Sequence, residues 1–182
     1  YINLENGYYC MQPREVLVSA DGRRLALVTV GVPTRVRVVK TRTGELVARR
    51  SFPSPGAKVS DFDGRRLVVG SYDGPTWWWD TEAGTLTKIV DRRAFADISA
   101  DRLVVLTPNP RSPDAFCQRT VRLSRPGVVL WRACQDIPAE FSPNGHKMIT
   151  WYINEDGIGP GVLQVRRQDG TVLRTFRAPL FF

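Results

Sequence analysis

Four segments of the chain share one form and recur roughly every forty residues: VSADGRRLALV at 18–28, VSDFDGRRLVVG at 59–70, ISADRLVVL at 98–106 and FSPNGHKMITW at 141–151. Each is a small polar turn rich in Asp, Asn and Gly, followed by a β-branched apolar run. Ser19, Ser60, Ser99 and Ser142 anchor this series. A second series lies downstream in KTRTGELV, DTEAGTLT, LSRPGVVL and RQDGTVLR, anchored by Gly44, Gly84, Gly127 and Gly170. The two series stay in phase, so one supersecondary unit is used four times. Such a unit buries its apolar face by stacking on its neighbours.

Turn chemistry divides each unit into four short strands. In the first, EVLVS, RLALVTV, RVRVVKT and ELVARRSF are separated by ADGR, GVPT and RTGE; PAEFS, KMITWYI, GVLQVRR and TVLRTFRA keep that order in the last. Second strands such as LALVTV and LVVGS are apolar throughout, which predicts burial on both faces between neighbouring sheets; later strands alternate with Arg, as edges do. A helical period is absent. Four antiparallel strands in about forty residues is the composition of a propeller blade. The chain therefore reads as an all-β propeller with four complete four-stranded blades, roughly 14–54, 55–94, 95–136 and 137–178. Residues 1–13, YINLENGYYCMQP, read as strand, Asn6-Gly7 turn and strand, which is the second half of a further blade. After the fourth unit, APLFF is too short to supply the missing half. The expectation is a piece of a larger ring, or an arc completed by self-association.

The stretch SYDGPTWWWDTEAG at 71–84 resembles the third strand of a WD-repeat blade, with Trp79-Asp80 in the dipeptide position. SADGRRLAL and FSPNGHKM are similar to the openings of WD-like and TolB-like propeller repeats. The resemblance extends over nearly the whole chain and implies the propeller architecture.

Hydrophobic content of 42% with 24% charged residues is that of a folded chain, and no apolar run is long enough to span a membrane. The start at Tyr1 is expected of a trimmed or processed product, and YINLENGYYCM lacks the order of a signal peptide. Net charge is +8, but the basic residues come in ones and twos along the whole chain, as in Arg23-Arg24, Arg65-Arg66 and Arg166-Arg167. Dispersed charge is the pattern of a solvated surface; nucleic-acid binding, which gathers charge on one face, is the alternative. The three cysteines are Cys10, Cys117 and Cys134. A register pairing Leu123 with Val128 across the SRPG turn brings Cys117 opposite Cys134, close enough for a disulfide after small adjustment. A bridge implies an extracytoplasmic or secreted setting; two reduced thiols in a cytoplasmic blade are the alternative. Cys10 is then a spare, read as a small core residue.

Groups suited to chemistry are few. His146, the single histidine, stands in the turn SPNGH, and no serine carries a G-x-S-x-G elbow. Neither C-x-x-C, H-x-x-x-H nor a phosphate-binding glycine loop is present, so no catalytic residue, metal or cofactor is assigned. The acidic run NEDGIGPG at 154–161 holds oxygen ligands of the kind Ca²⁺ uses, and reads first as a loop. Asp61, Asp97 and Glu140 fall on first strands, which line a propeller's channel. Paired carboxylates there raise a second function class, an extracytoplasmic enzyme acting on a glycan; channel solvation or bonding to turn amides is the simpler role. Trp77 and Trp79 share one strand face and Trp78 takes the other, for packing between blades or as an aromatic platform.

Connections between second and third strands vary most: GVPTR at 31–35, YDGPT at 72–76, PNPRSPDAF at 108–116 and NEDGIGPG at 154–161. In a propeller they emerge on one face, where variable loops on a regular scaffold bind partners. The expected contact residues are Tyr72, Asp73, Arg111, Asp114, Phe116, Glu155 and Asp156. The leading reading is a non-catalytic module that docks a protein or peptide through this loop face.

Overall fold

A computed structural model describes residues 16–29, 33–52, 57–71, 74–152 and 161–177. Sixteen strands form four sheets, or blades, each antiparallel and each in sequential order. Blade 1 holds β1 (Val16–Val18), β2 (Arg24–Thr29), β3 (Thr34–Lys40) and β4 (Leu46–Phe52). Blade 2 holds β5 (Lys58–Phe62), β6 (Arg66–Gly70), β7 (Thr76–Asp80) and β8 (Leu86–Val90). Blade 3 holds β9 (Ala94–Asp97), β10 (Arg102–Asn109), β11 (Ser112–Arg122) and β12 (Val129–Ala133). Blade 4 holds β13 (Asp136–Phe141), β14 (Lys147–Tyr152), β15 (Val162–Arg167) and β16 (Val172–Arg177). Residues 1–13 and Cys10 lie outside the described residues.

The outermost strand of every blade carries one extra residue. Val47, Ile89, Leu130 and Leu173 each stand between paired neighbours without a partner of their own. In blades 1, 3 and 4 the extra residue is the second of the strand, beside the turn, and in blade 2 it lies at the far end of β8; a bulge strengthens the local twist, as stacked blades require.

Two joints are apolar. Ala26, Val28, Val36, Val38 and Phe52 of blade 1 meet Val59, Phe62, Leu67, Val69 and Trp79 of blade 2, with the Phe52 ring edge-on to Trp79 at 6.1 Å. On the other side of blade 2, Val68 and Trp78 pack against Leu103, Val105, Val121 and Leu123 of blade 3. The joint between blades 3 and 4 has a smaller apolar cluster, Phe95, Val104, Leu106 and Ile137, and a polar remainder. There the buried Arg102 guanidinium donates to the carbonyl of Gly145 at 2.9 Å and to Gln168 Oε1 at 2.6 Å. Arg166 stacks on the Trp131 ring at 5.3 Å and pairs with Asp136 at 2.8 Å.

Strands β6 and β10 are buried on both faces, as their unbroken apolar runs predict. Strand β2 differs from the sequence expectation. Its apolar run fully buries only Ala26 and Val28, because no other blade among the described residues lies on its second face. Strand β14 alternates too: Met148 and Thr150 are buried, Lys147 and Ile149 exposed.

The turn that opens each blade needs one residue in the left-handed region. Gly22, Gly64 and Gly145 take it in blades 1, 2 and 4, with φ between +67° and +103°. Blade 3 lacks that glycine, and Asp101 adopts φ +55° in its place. The cost of that conformation is offset by its carboxylate, which accepts from Ser124 N–H at 2.7 Å and Ser124 Oγ at 2.9 Å. Asp101→Ala, which keeps the strained backbone and loses both bonds, is expected to destabilise the protein by about 1–3 kcal/mol. Asp101→Gly should cost less, since glycine relieves the strain. Denaturant titration of the two variants measures the difference; equal losses would place the effect in the hydrogen bonds alone.

Candidate binding face

Antiparallel order within each blade sorts the connections onto two ends. The β1–β2 and β3–β4 turns and their equivalents make one end, the turn face. The β2–β3 connections and the links between blades make the other, the loop face.

Several charges on the turn face are paired with one another. Arg24 meets Glu82 at 2.9 Å across the blade 1–blade 2 joint, Arg66 meets Asp63 at 2.9 Å, and Arg122 approaches Asp101 at 3.4 Å. Asp80, the acid of the Trp-Asp pair, is held by Arg65 Nη2 at 2.7 Å and accepts the backbone N–H groups of Glu82 and Ala83 at 3.0 and 2.9 Å. The Arg65 hydrogen bond and these amides bring its pKa down to about 2. The same side-chain-to-turn bonding recurs at Asp21, whose carboxyl is held below the usual range by Ser19 Oγ and the Arg23 N–H. His146 stands exposed in the last of these opening turns, its backbone N–H donated to Asn144 Oδ1.

The loop face is shaped by blade 3. The segment 108–116, expected to be a loop, is instead the end of a β-hairpin: β10 runs on to Asn109 and β11 starts at Ser112, with Pro108 opposite Phe116. Extended backbone here follows from the ladder continuing past Thr107–Cys117, with an irregularity only between Pro108 and Asn109. Arg111 sits exposed at the tip, where its N–H is donated to Asn109 Oδ1 at 2.9 Å. Asp114 lies on β11 just past the tip, and Phe116 is half-buried at the flank.

Cys117 and Cys134 form a disulfide at the root of this hairpin. Cys117 is buried and Cys134 is exposed, in the link to blade 4. The register expected from the turn needs correction, although the pairing of the cysteines does not. Val121 faces Val129, Leu130 bulges, and from Thr120–Trp131 to Gln118–Ala133 the ladder then runs in the frame that brings the two cysteines together. Leu123 is not across from Val128: it is Arg122 that donates to the Val128 carbonyl, at 3.2 Å.

Of the expected contact residues, the structure thus brings Arg111, Asp114 and Phe116 onto one projecting element. Tyr72, Asp73, Glu155 and Asp156 lie outside the described residues. Sequence reasoning passed over Arg92, exposed in the link between blades 2 and 3 on the same end of the molecule; an isolated Arg in a link has no sequence signature.

Two of the three first-strand carboxylates accept local or inter-blade hydrogen bonds. Asp61 Oδ2 accepts the Ile98 N–H of the next blade at 2.6 Å, and Asp97 Oδ1 accepts Ser99 Oγ and the Ala100 N–H at 2.7 and 2.9 Å. Glu140 is exposed on β13. Trp79 is fully buried against blade 1 and Trp78 packs toward blade 3, so these two rings serve the joints. Among the described residues no cluster of His, Cys, Asp and Glu is grouped to hold a metal ion, and no helix is long and apolar enough to cross a membrane.

Among solved structures, the chain is similar to the β-propeller domain of Cps50 (Swd1) from Myceliophteria thermophila, with a TM-score of 0.58 at 10% identity over 90% of this chain and 57% of that one. The fold is a β-propeller. The chain is also similar to BamB from Moraxella catarrhalis, with a TM-score of 0.49 at 16% identity over 89% of this chain and 48% of that one. No family model and no curated protein matches the chain. The chain spans little more than half the length of the Swd1 domain, and its four blades form an open arc of a propeller.

Two outcomes follow for this arc. A carboxyl whose folded pKa lies below its unfolded value contributes stability that is complete above the unfolded pKa and disappears as pH falls through the folded one. For Asp80 that window runs from the usual 3.8 down to about 2. The thermal midpoint should therefore drop between those values, and less steeply in Asp80→Asn, as followed by circular dichroism across the acid range. The disulfide closes a loop with a sequence separation of 17, for which chain entropy predicts about 3 kcal/mol. Cys117→Ser/Cys134→Ser should lower the unfolding free energy by about that amount, measured by denaturant titration.

Proposed function

We propose that this propeller arc is a non-catalytic interaction module that docks a protein or peptide through its loop face, with the blade 3 hairpin as the leading element. The observation that carries this reading is the hairpin's construction: among the described residues β10 and β11 outrun the corresponding strands of the other blades, and the Cys117–Cys134 bridge ties the root of β11 to the link into blade 4. A projection fixed in advance loses little conformational freedom on binding. Arg111 at its tip and Arg92 in the adjacent link supply cations for an acidic segment, whereas Arg24, Arg65 and Arg66 of the turn face are engaged by neighbouring carboxylates. Tyr72, Asp73, Asp114, Phe116, Glu155 and Asp156 belong to the proposed contact set, on this hairpin and on the neighbouring connections. The disulfide supports placement in an oxidising, extracytoplasmic compartment.

Capture from an extracytoplasmic protein fraction tests the reading. Immobilised wild type, Arg111→Glu and a turn-face control, Arg42→Glu, are compared by quantitative mass spectrometry of what each retains. A protein held by the wild type and by Arg42→Glu should be about tenfold depleted on Arg111→Glu, the effect of losing one contact worth about 1.4 kcal/mol. Equal retention by all three would remove the hairpin from the interface.

A further inference from the structure

The face of blade 1 turned away from blade 2 is divided between apolar and basic side chains. Strand pairing matches it to the corresponding face of blade 2. Val16 pairs with Leu27 as Val59 pairs with Val69, Val18 with Leu25 as Phe62 with Leu67, and Leu46 with Val39 as Leu86 with Trp79. In blade 2 this set is pressed on blade 1, and Val59, Phe62 and Trp79 are 4%, 3% and 2% exposed. In blade 1 the equivalent Val16, Val18 and Leu46 are 51%, 59% and 48% exposed. Apolar residues repeated in register on an open sheet face mark a contact surface.

Beside that apolar set stand three arginines. Along β3 the outward side chains run Val39, Arg37, Arg35, and Arg49 of β4 is directly opposite Arg37. All three arginines are exposed, and none has an ion-pair partner among the described residues. Like charges opposed across strands destabilise a sheet, and carboxylates laid over them turn that repulsion into attraction. A strand stacked on this face in nearly the direction of β3 shares its same-face spacing of about 7 Å. Such a strand sets an apolar residue over Val39 and acids two and four positions further on over Arg37 and Arg35.

The chain's own carboxylates do not meet this need. Of its 18 Asp and Glu residues, only Asp61 with Asp63 and Asp80 with Glu82 stand two positions apart. Both pairs belong to blade 2 and are engaged there: Asp61 accepts the Ile98 N–H, and Asp63, Asp80 and Glu82 meet Arg66, Arg65 and Arg24. The open face of blade 4 presents Lys147, Arg167 and Arg174 with one acid, Glu140. Closing blade 4 on blade 1, within one copy or between two, therefore sets cation against cation.

We propose that the open face of blade 1 docks a β-sheet of another protein, whose facing strand carries an apolar residue followed at the second and fourth positions by acids. The face holds Val, Leu and Arg but no aromatic ring on which a base would stack, which favours a polypeptide over a nucleic acid. This surface is separate from the loop face, so the two readings stand or fall independently.

A cyclised β-hairpin peptide with Val-Thr-Glu-Thr-Glu on one strand is the probe, fluorescently labelled and titrated with the full chain. The wild type should bind it at least tenfold tighter than the same hairpin with Gln for Glu, and tenfold tighter than an oligodeoxythymidine of equal length. Arg35→Ala/Arg37→Ala/Arg49→Ala, checked for native circular dichroism, should lose that preference, and Arg111→Glu should keep it. Leu46→Glu, an independent variant, should weaken the Glu hairpin severalfold by repelling its acids. Failure to bind, equal affinity for the Glu and Gln hairpins, or a preference that survives these substitutions in folded protein would overturn the proposal. Tighter binding of the oligonucleotide would replace it with a nucleic-acid surface. Self-association of the wild type in sedimentation, abolished by Leu46→Glu, would replace it with a second copy of the chain.

Discussion

A β-sheet whose two faces are both apolar cannot stand alone in water, and the rest of this structure follows from that. Blade 2 is the clearest case. Strand β6 buries Leu67 and Val69 on one side and Val68 on the other, so it requires a blade on each flank. Blades 1 and 3 meet that requirement and thereby inherit an outer face of their own. Each added blade solves one exposure and creates another, until a ring closes or something else covers the last faces. The four described blades stop before that point, which is why β2 and β14, central in their own sheets, still show exposed side chains.

Stacking also dictates where the polar groups go. With both sheet faces occupied, ionisable side chains gather at the two ends, where the backbone turns leave unpaired amides. Short acceptors from Ser, Asp and Asn satisfy those amides in blade after blade, at Asp21, Asp63, Asp80, Asp97 and Asn144. The Trp-Asp pair unites the two demands in adjacent residues. Trp79 fills a joint, and Asp80 ties off the turn that follows and holds Arg65. The third joint departs from the apolar rule: Arg102 donates across it to the Gly145 carbonyl and to Gln168, and Arg166 reaches across it to the Trp131 ring, so it depends more on geometry than on buried area.

Uniform ends would leave nothing for a partner to distinguish, and blade 3 breaks the uniformity. Its hairpin strands are the longest among the described residues, and the disulfide secures β11 at the point where the hairpin leaves the scaffold. The proposed contact residues were legible only as a class. Arg111 and Phe116 stood out because the connection between them was long and unlike its counterparts, yet the same length argued for a loop, since no apolar alternation marks Pro108 to Phe116 as strand. The ladder extends through backbone pairing, which side-chain pattern does not report. The cysteines show a similar limit. Their pairing was legible from the arithmetic of a hairpin, while the bulge at Leu130 that sets the true frame was not, because a bulge depends on sheet twist.

The sequence by itself determined the unit: a four-stranded sheet of about forty residues, repeated four times, with the turn acids and glycines at fixed places. These are local matters, settled by side-chain alternation, left-handed turns and short-range hydrogen bonds within a few residues of one another. Tertiary structure alone decided which apolar faces are closed, which charges are paired, and that the blade 3 connection is the end of a β-hairpin. Those outcomes depend on residues far apart in sequence being brought face to face, as with Arg24 and Glu82, 58 positions apart, or Arg102 and Gln168, 66 apart, and only stacking places them there.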